Sequence, residues 1–314
     1  MAYSRSNSTR SYSSCEQPTS EISSSSESSS QASESDHPLT RLAQTSVRQI
    51  FPQEDCTIDK FFEKHRRALL ENRSRNQFLA FKDVPPSVVK RLSSSSSSKF
   101  VRCFYNTVTS VLITKTMPLG AHEAAIRYFD ILVLRELQTM QLDEEVEYLG
   151  SKKVTAGAWT KEADSSWRPM TENKMTLILE VGNSESANHL KTLTHAWLES
   201  ADAQIGFTIS IDQNVPRIEI KRWELVPHLP SITSRAAPTS IAAATSAITV
   251  AKVGDTTTVI PGLGGLPYFV IPFRKVFNRG PQNTVERDLV LPEHGLKILA
   301  ERVWKQQAED AESL

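Results

Sequence analysis

The stretch from Met175 to Trp197 constrains the fold more than any other part of the chain. Met175 to Val181 (MTLILEV) is a short apolar run closed by Gly182, which predicts a buried strand. Beyond Gly182 the apolar spacing becomes helical, through Leu190, Leu193 and Trp197, with Ser184 or Ser186 placed as an N-cap. One acid, Glu180, stands inside the strand. A carboxylate among apolar neighbours needs a partner or a metal, because stripping it of water is costly unless its charge is matched. Glu180 therefore meets such a group or caps the amides of the next turn. Asp164 heads a short segment ending at Trp167, and reads either as a metal ligand or as the start of a turn with Ser165-Ser166. A pair of acids at the ends of such segments would hold a metal ion rigidly.

Strand and helix patterns alternate on either side. Phe100 to Tyr105 and Val108 to Met117 read as strands joined by a turn near Asn106-Thr107. Ala121 to Met140, behind Pro118 and Gly120, is the clearest helix. Glu145 to Thr155, Ile205 to Asp212 and Arg217 to Leu225 read as further strands. Residues 99–226 are thus expected to form an α/β core, a mixed twisted β-sheet flanked by helices.

Around this core, residues 1–45 are serine-rich and expected to be a disordered tail, since such a tract cannot bury enough apolar surface to offset its chain entropy. Residues 46–98 read as a helical segment, Val47 to Phe81 in two pieces, followed by the flexible run Ser93 to Ser98. Residues 227–246 read as a linker. Residues 247–314 read as a small α+β appendage, with strands at Ile248–Val253, Thr257–Ile260 and Tyr268–Phe277 and a helix over Pro292 to Gln307.

Several function classes fall away. Basic and acidic residues number 36 each, so no overall charge argues for a nucleic-acid or membrane partner. Cys15, Cys56 and Cys103 are odd in number and widely spaced, which suggests a reducing compartment and no disulfide or zinc framework. The first residues lack the apolar core of a secretory signal, and Ala236 to Ala251 is too weakly apolar to span a bilayer. An intracellular soluble protein, cytoplasmic or nuclear, is expected. His122-Glu123-Ala124-Ala125-Ile126 is half of a zinc-protease motif without its second histidine. Gly262-Leu263-Gly264-Gly265 lacks the lysine of a phosphate-binding loop and reads as a turn. The basic run Lys64-His65-Arg66-Arg67 has Glu63 and Glu71 interleaved, as on a solvated helix face.

The order helix, strand, strand with Asp, strand with Glu, helix, strand, strand carries a resemblance. The residues behind it are Met117-Pro118, His122-Glu123, Gly150-Ser151 and Lys161-Glu162-Ala163-Asp164. They continue with Glu180-Val181-Gly182, Ser184-Glu185-Ser186, Leu190, Trp197-Leu198 and the strand Ile218 to Glu224. Together they resemble the PD-(D/E)XK nuclease superfamily, with its restriction-endonuclease-like core, and more closely a set of uncharacterised fungal proteins carrying a degenerate version of it.

The resemblance implies Asp164 and Glu180 as ligands of Mg²⁺ or Mn²⁺, activating water for attack on a phosphodiester of DNA or RNA. Glu123 would be an accessory acid, although Arg127 and Asp130 below it also fit an exposed ion-pair row. A lysine is expected two residues after the second acid; Gly182 stands there. Lys191, on the following helix, is the candidate substitute, about 120° from the centre of that helix's buried face. Two functions follow: a nuclease scaffold without activity, kept as a binding or interaction module, or a metal-dependent nuclease using Asp164, Glu180, Lys191 and Glu123.

Overall fold

The computed structural model describes residues 37–45, 48–49, 55–71, 73–74, 76–94, 100–116, 120–183, 187–228 and 239–312. All lie in one compact unit, Ser33–Leu314. In chain order the elements are α1 (Pro38–Thr45), β1 (Arg48–Gln49), α2 (Asp55–Leu70), β2 (Phe78–Phe81), α3 (Pro86–Ser94), β3 (Val101–Asn106) and β4 (Val111–Thr116). Then come α4 (Ala121–Thr139), β5 (Val146–Tyr148), β6 (Lys153–Ala156), β7 (Trp159–Glu162), β8 (Ser165–Pro169), β9 (Leu177–Asn183) and α5 (Ala187–Ser200). The chain continues with β10 (Ile205–Ile211), β11 (Arg217–His228), β12 (Thr239–Val253), β13 (Thr256–Pro261), β14 (Phe269–Ile271), α6 (Phe273–Phe277), β15 (Leu289–Leu291) and α7 (Glu293–Glu312).

The expected α/β architecture is present. A seven-stranded mixed sheet has the order β13-β12-β11-β10-β9-β8-β5. Within it β9 and β10 are parallel, pairing Ile205 with Leu177 through Ile211 with Asn183, and the other neighbours are antiparallel. A parallel pair needs a crossover, and α5 supplies it. One face of this sheet carries α4 and α7. Phe129, Val133 and Leu137 of α4 share a core with Leu179 and Val181 of β9, Phe207 of β10, and Leu296 and Leu299 of α7.

A second, six-stranded sheet, ordered β1-β2-β4-β3-β7-β6, covers the other face. Phe78, Phe104, Ile113 and Trp159 from its strands pack on Leu193 and Ala196 of α5. The second sheet decides the character of the site, because it roofs the face on which the two acids lie.

Several expectations need correction. Glu145 to Thr155 is not one strand: it divides between β5 in the large sheet and β6 in the small one, the break falling at Gly150 with its positive φ of 55°. The helical reading of Val47 to Phe81 ends at Leu70, and Phe78–Phe81 is a fully buried strand. Thr239–Val253, whose first half was expected to be linker, is one long strand paired with β11 from Thr239↔His228 to Ala251↔Arg217. Its small Ala, Ser and Thr side chains give little apolar alternation, so the pairing partner creates the strand. The C-terminal strands β12 and β13 accordingly extend the main sheet, and Tyr268–Phe277 divides into β14 and α6. Pro38–Thr45, inside the expected tail, is helical. Residues 1–36 of that tail, Ser95–Ser98, Met117-Pro118 and the capping serines Ser184 and Ser186 lie outside the described residues.

Candidate functional site

Glu180 sits mid-strand on β9, between Leu179 and Val181, which point into the α4 face of the sheet. Strand alternation sends Glu180 the opposite way, toward α5 and the small sheet. Asp164 immediately precedes β8 and points to the same side. Both side chains are completely buried, and between them lies the equally buried ammonium of Lys115, carried by β4. Lys115 Nζ donates to Asp164 Oδ2 in a very short contact and to Glu180 Oε2 at 2.8 Å.

The remaining partners complete a network. His122 Nε2, in the first turn of α4, is 3.2 Å from Asp164 Oδ2, and the backbone N–H of Val181 donates to the same oxygen at 2.7 Å. Trp197 of α5 donates its indole N–H to Glu180 Oε1 at 2.8 Å. Arg102 of β3 lies 3.9 Å from Asp164 Oδ1 and 3.6 Å from Glu162 Oε1. A second buried lysine, Lys161 of β7, donates to the carbonyl of Ala196 at 2.6 Å and lies 5.2 Å from the centre of the Trp197 ring. Trp197 is thereby held between Glu180 and Lys161.

The charges are set by competition between burial and neighbours. Burial raises a carboxyl, yet Lys115, His122 and Arg102 outweigh it and hold Asp164 well below the usual carboxylate range. For Glu180 burial wins over the pull of Lys115, and its carboxyl is pushed up to about 7. Burial opposes the charge of Lys115 and His122 too, but Asp164 prevails and both are raised. Burial brings Lys161 down to about 7, with only Glu180 pulling the other way. Asp164 and Lys115 thus form a firm ion pair, while Glu180 and Lys161 titrate near neutrality.

The residues anticipated from the sequence fare differently in space. Asp164 and Glu180 share one cation. Glu123 stands at the edge, with Oε1 3.7 Å from His122 Nδ1 and its side chain half exposed; the neighbouring His122 holds its carboxyl low. Lys191 is exposed on α5, and no contact joins it to either acid among the described residues. Asp130 belongs to no exposed ion-pair row: it accepts from Ser165 Oγ at 2.8 Å and Trp167 Nε1 at 3.1 Å. Gly182, where the nuclease pattern has lysine, is pressed against other atoms. A Cβ there would come 2.9 Å from Gln77 Oε1 and 3.1 Å from a Leu190 methyl. Lys115, Lys161 and Arg102 were missed. The signal for Lys115 was in the sequence: it interrupts the apolar strand VLITKT as Glu180 interrupts MTLILEV, and each buried charge needs the other.

A divalent ion does not fit this arrangement as it stands. Mg²⁺ needs about six oxygen ligands in near-octahedral geometry at roughly 2.0–2.1 Å, and Mn²⁺ is bound by the same hard oxygen donors. Here the facing oxygens of Asp164 and Glu180 already hold an ammonium, and Asp164 Oδ2 also accepts from Val181. Among the described residues no three His, Cys, Asp or Glu side chains are grouped to hold a metal ion.

Comparison with known proteins adds little to the site. No protein-family model matches the chain, and no curated protein does. A solved structure from Anabaena variabilis, described as "a putative nuclease belonging to DUF820", is similar over 64% of this chain and 90% of that one, with 13% identity and a TM-score of 0.32. Among the described residues no helix is long and apolar enough to cross a membrane.

Proposed function

We propose that the chain is a nuclease-like scaffold whose acid pair has become a buried ion cluster, and that it acts as a binding module. One observation carries this reading: the Lys115 ammonium lies between Asp164 Oδ2 and Glu180 Oε2, with all three side chains at zero exposure. An active phosphodiesterase needs its acids open to a cation and to a scissile phosphate. Here β4 fills that place, and reaching the acids means withdrawing a lysine from two buried carboxylates.

The second reading, a Mg²⁺- or Mn²⁺-dependent nuclease acting on DNA or RNA, has one observation in its favour. An ammonium does stand beside both acids, which is the chemistry the nuclease pattern asks of the lysine missing at Gly182. In that reading Lys115 and not Lys191 stabilises developing negative charge.

The test incubates purified protein with single- and double-stranded DNA and RNA, in Mg²⁺, Mn²⁺ or EDTA, beside Asp164→Asn and Glu180→Gln. The binding-module reading expects no cleavage in any arm from folded protein. Cleavage by wild type that EDTA and both substitutions abolish would establish the nuclease.

A further inference from the structure

A second site lies on the opposite face of the large sheet. Ser165 and Trp167 of β8 alternate away from Lys115 and face α4, where both donate to Asp130 Oδ1. Beside them opens a cavity of about 520 Å³ bounded by α4, β5 and β8. That volume is within the usual range for small-molecule sites, roughly 300–1,000 Å³. Asp164, Glu180 and Lys115 lie across the sheet from it, while Glu123, at the edge of their cluster, is part of its lining.

Its lining defines a chemistry. The exposed ring of Tyr148 forms an aromatic wall, backed by the buried ring of Trp167, the ring centres 4.9 Å apart and the planes tilted by 55°. Asp130 stands beside this wall, and aliphatic side chains of α4 and β5 supply most of the remaining surface. Glu123 and Asp143 add two carboxylates against the single cation Arg127. Burial pushes the Asp130 carboxyl up, and with the hydrogen bonds from Ser165, Trp167 and Tyr148 opposing that rise it stands at about 6.

A partly buried carboxylate beside the open π-face of Tyr148 attracts a positive charge in two ways. The carboxylate attracts it by direct charge, and the Tyr148 ring through its quadrupole. Phosphates and other anions are disfavoured by the excess of acids. The ligand this wall suits is therefore neither a nucleotide nor an acid.

We infer that this cavity binds a small organic ammonium ion, with the cationic head against Asp130 and the exposed ring of Tyr148 and an apolar body along α4. The recognition is electrostatic and aromatic together, so neither a neutral analogue nor an anion of the same size replaces the cation.

The test uses the full chain and three probes of similar size: benzyltrimethylammonium, benzyl alcohol and benzoate. Binding is read from the indole N–H resonance of Trp167, assigned with Trp167→Phe. Saturable movement of that resonance by the ammonium alone is expected, with affinity falling about tenfold in Asp130→Asn. Tyr148→Ala, at a side chain that is half exposed, provides a second variant if Asp130→Asn folds poorly, and it should weaken binding several-fold. No saturable shift with the ammonium, equal binding of the alcohol, or unchanged affinity in the folded variants would each overturn the inference.

Discussion

Replacing Lys115 with methionine probes the cluster with little change of shape. The substitution keeps an unbranched side chain and deletes the one cation that touches both acids. Removing one member of a buried ion pair costs about 3–5 kcal/mol, because the charge left behind has no compensation. Asp164 retains His122 and the Val181 N–H, so the burden falls on Glu180, which keeps only the Trp197 indole.

Glu180 can escape by taking up a proton, and its carboxyl already sits near 7. In Lys115→Met it is raised further, so the folded variant binds a proton that the unfolded chain, with an ordinary Glu, does not. Such a difference lowers stability by about 1.4 kcal/mol per pH unit where one full proton is involved. The cost should therefore be near 3 kcal/mol at pH 6 and larger by about 1–2 kcal/mol at pH 8. At about 2–4 °C per kcal/mol, the melting temperature should fall by at least 6 °C or so. Urea unfolding at both pH values, followed by tryptophan fluorescence, measures it. Lys115→Met/Glu180→Gln should recover at least about 1 kcal/mol of the loss at pH 8. A loss below 1 kcal/mol at both pH values, or one with no pH dependence, would refute the reasoning.

Further outcomes follow from the same geometry. Gly182→Ala should cost about 1–3 kcal/mol by overpacking against Gln77 and Leu190, and Gly182→Lys should cost more; denaturant unfolding of both variants checks this. Lys191→Ala, at an exposed position, should change stability by no more than about 0.5 kcal/mol, and a larger loss would show that Lys191 has a partner. Glu180 has a raised carboxyl, so the stability it contributes is full below its ordinary 4.5 and is lost as pH rises through about 7. Glu180→Gln should remove that slope. Lys161 is lowered from 10.5 to about 7, so its contribution is full above 10.5 and is lost as pH falls toward 7. Stability of wild type minus Lys161→Met, measured from pH 7 to 10, should rise with pH; a flat difference would mean Lys161 is not buried in solution.

The core was largely legible in the sequence because periodicity carries it. MTLILEV followed by Leu190, Leu193 and Trp197 at helical spacing became β9 and α5, and Ala121 to Met140 became α4. Glu180 was legible as well, since a carboxylate in an apolar run is expensive, whereas Asp164, in Lys161-Glu162-Ala163-Asp164-Ser165, was marked by the resemblance alone. Lys115 carried the same kind of mark in its own strand, but its pairing with the acids was not legible, because it is 49 residues from Asp164 in the chain and arrives on a different sheet. Local pattern cannot register a pairing made by packing two sheets face to face. For the same reason Lys191, near Glu180 in sequence, was the lysine expected beside the acids, where the structure has Lys115. The strand β12 was hidden differently: Ser-Ile-Ala-Ala-Ala-Thr-Ser has weak propensity of its own and is ordered by twelve residues of β11.

The most direct test of the cluster is Mn²⁺ titration of wild type and Lys115→Met at pH 7, read by calorimetry and by the bound-ion electron paramagnetic resonance signal. A closed, lysine-filled cluster predicts no saturable site in wild type that depends on Asp164 and Glu180. One Mn²⁺ bound stoichiometrically by wild type, and lost in both Asp164→Asn and Glu180→Gln, would contradict the account.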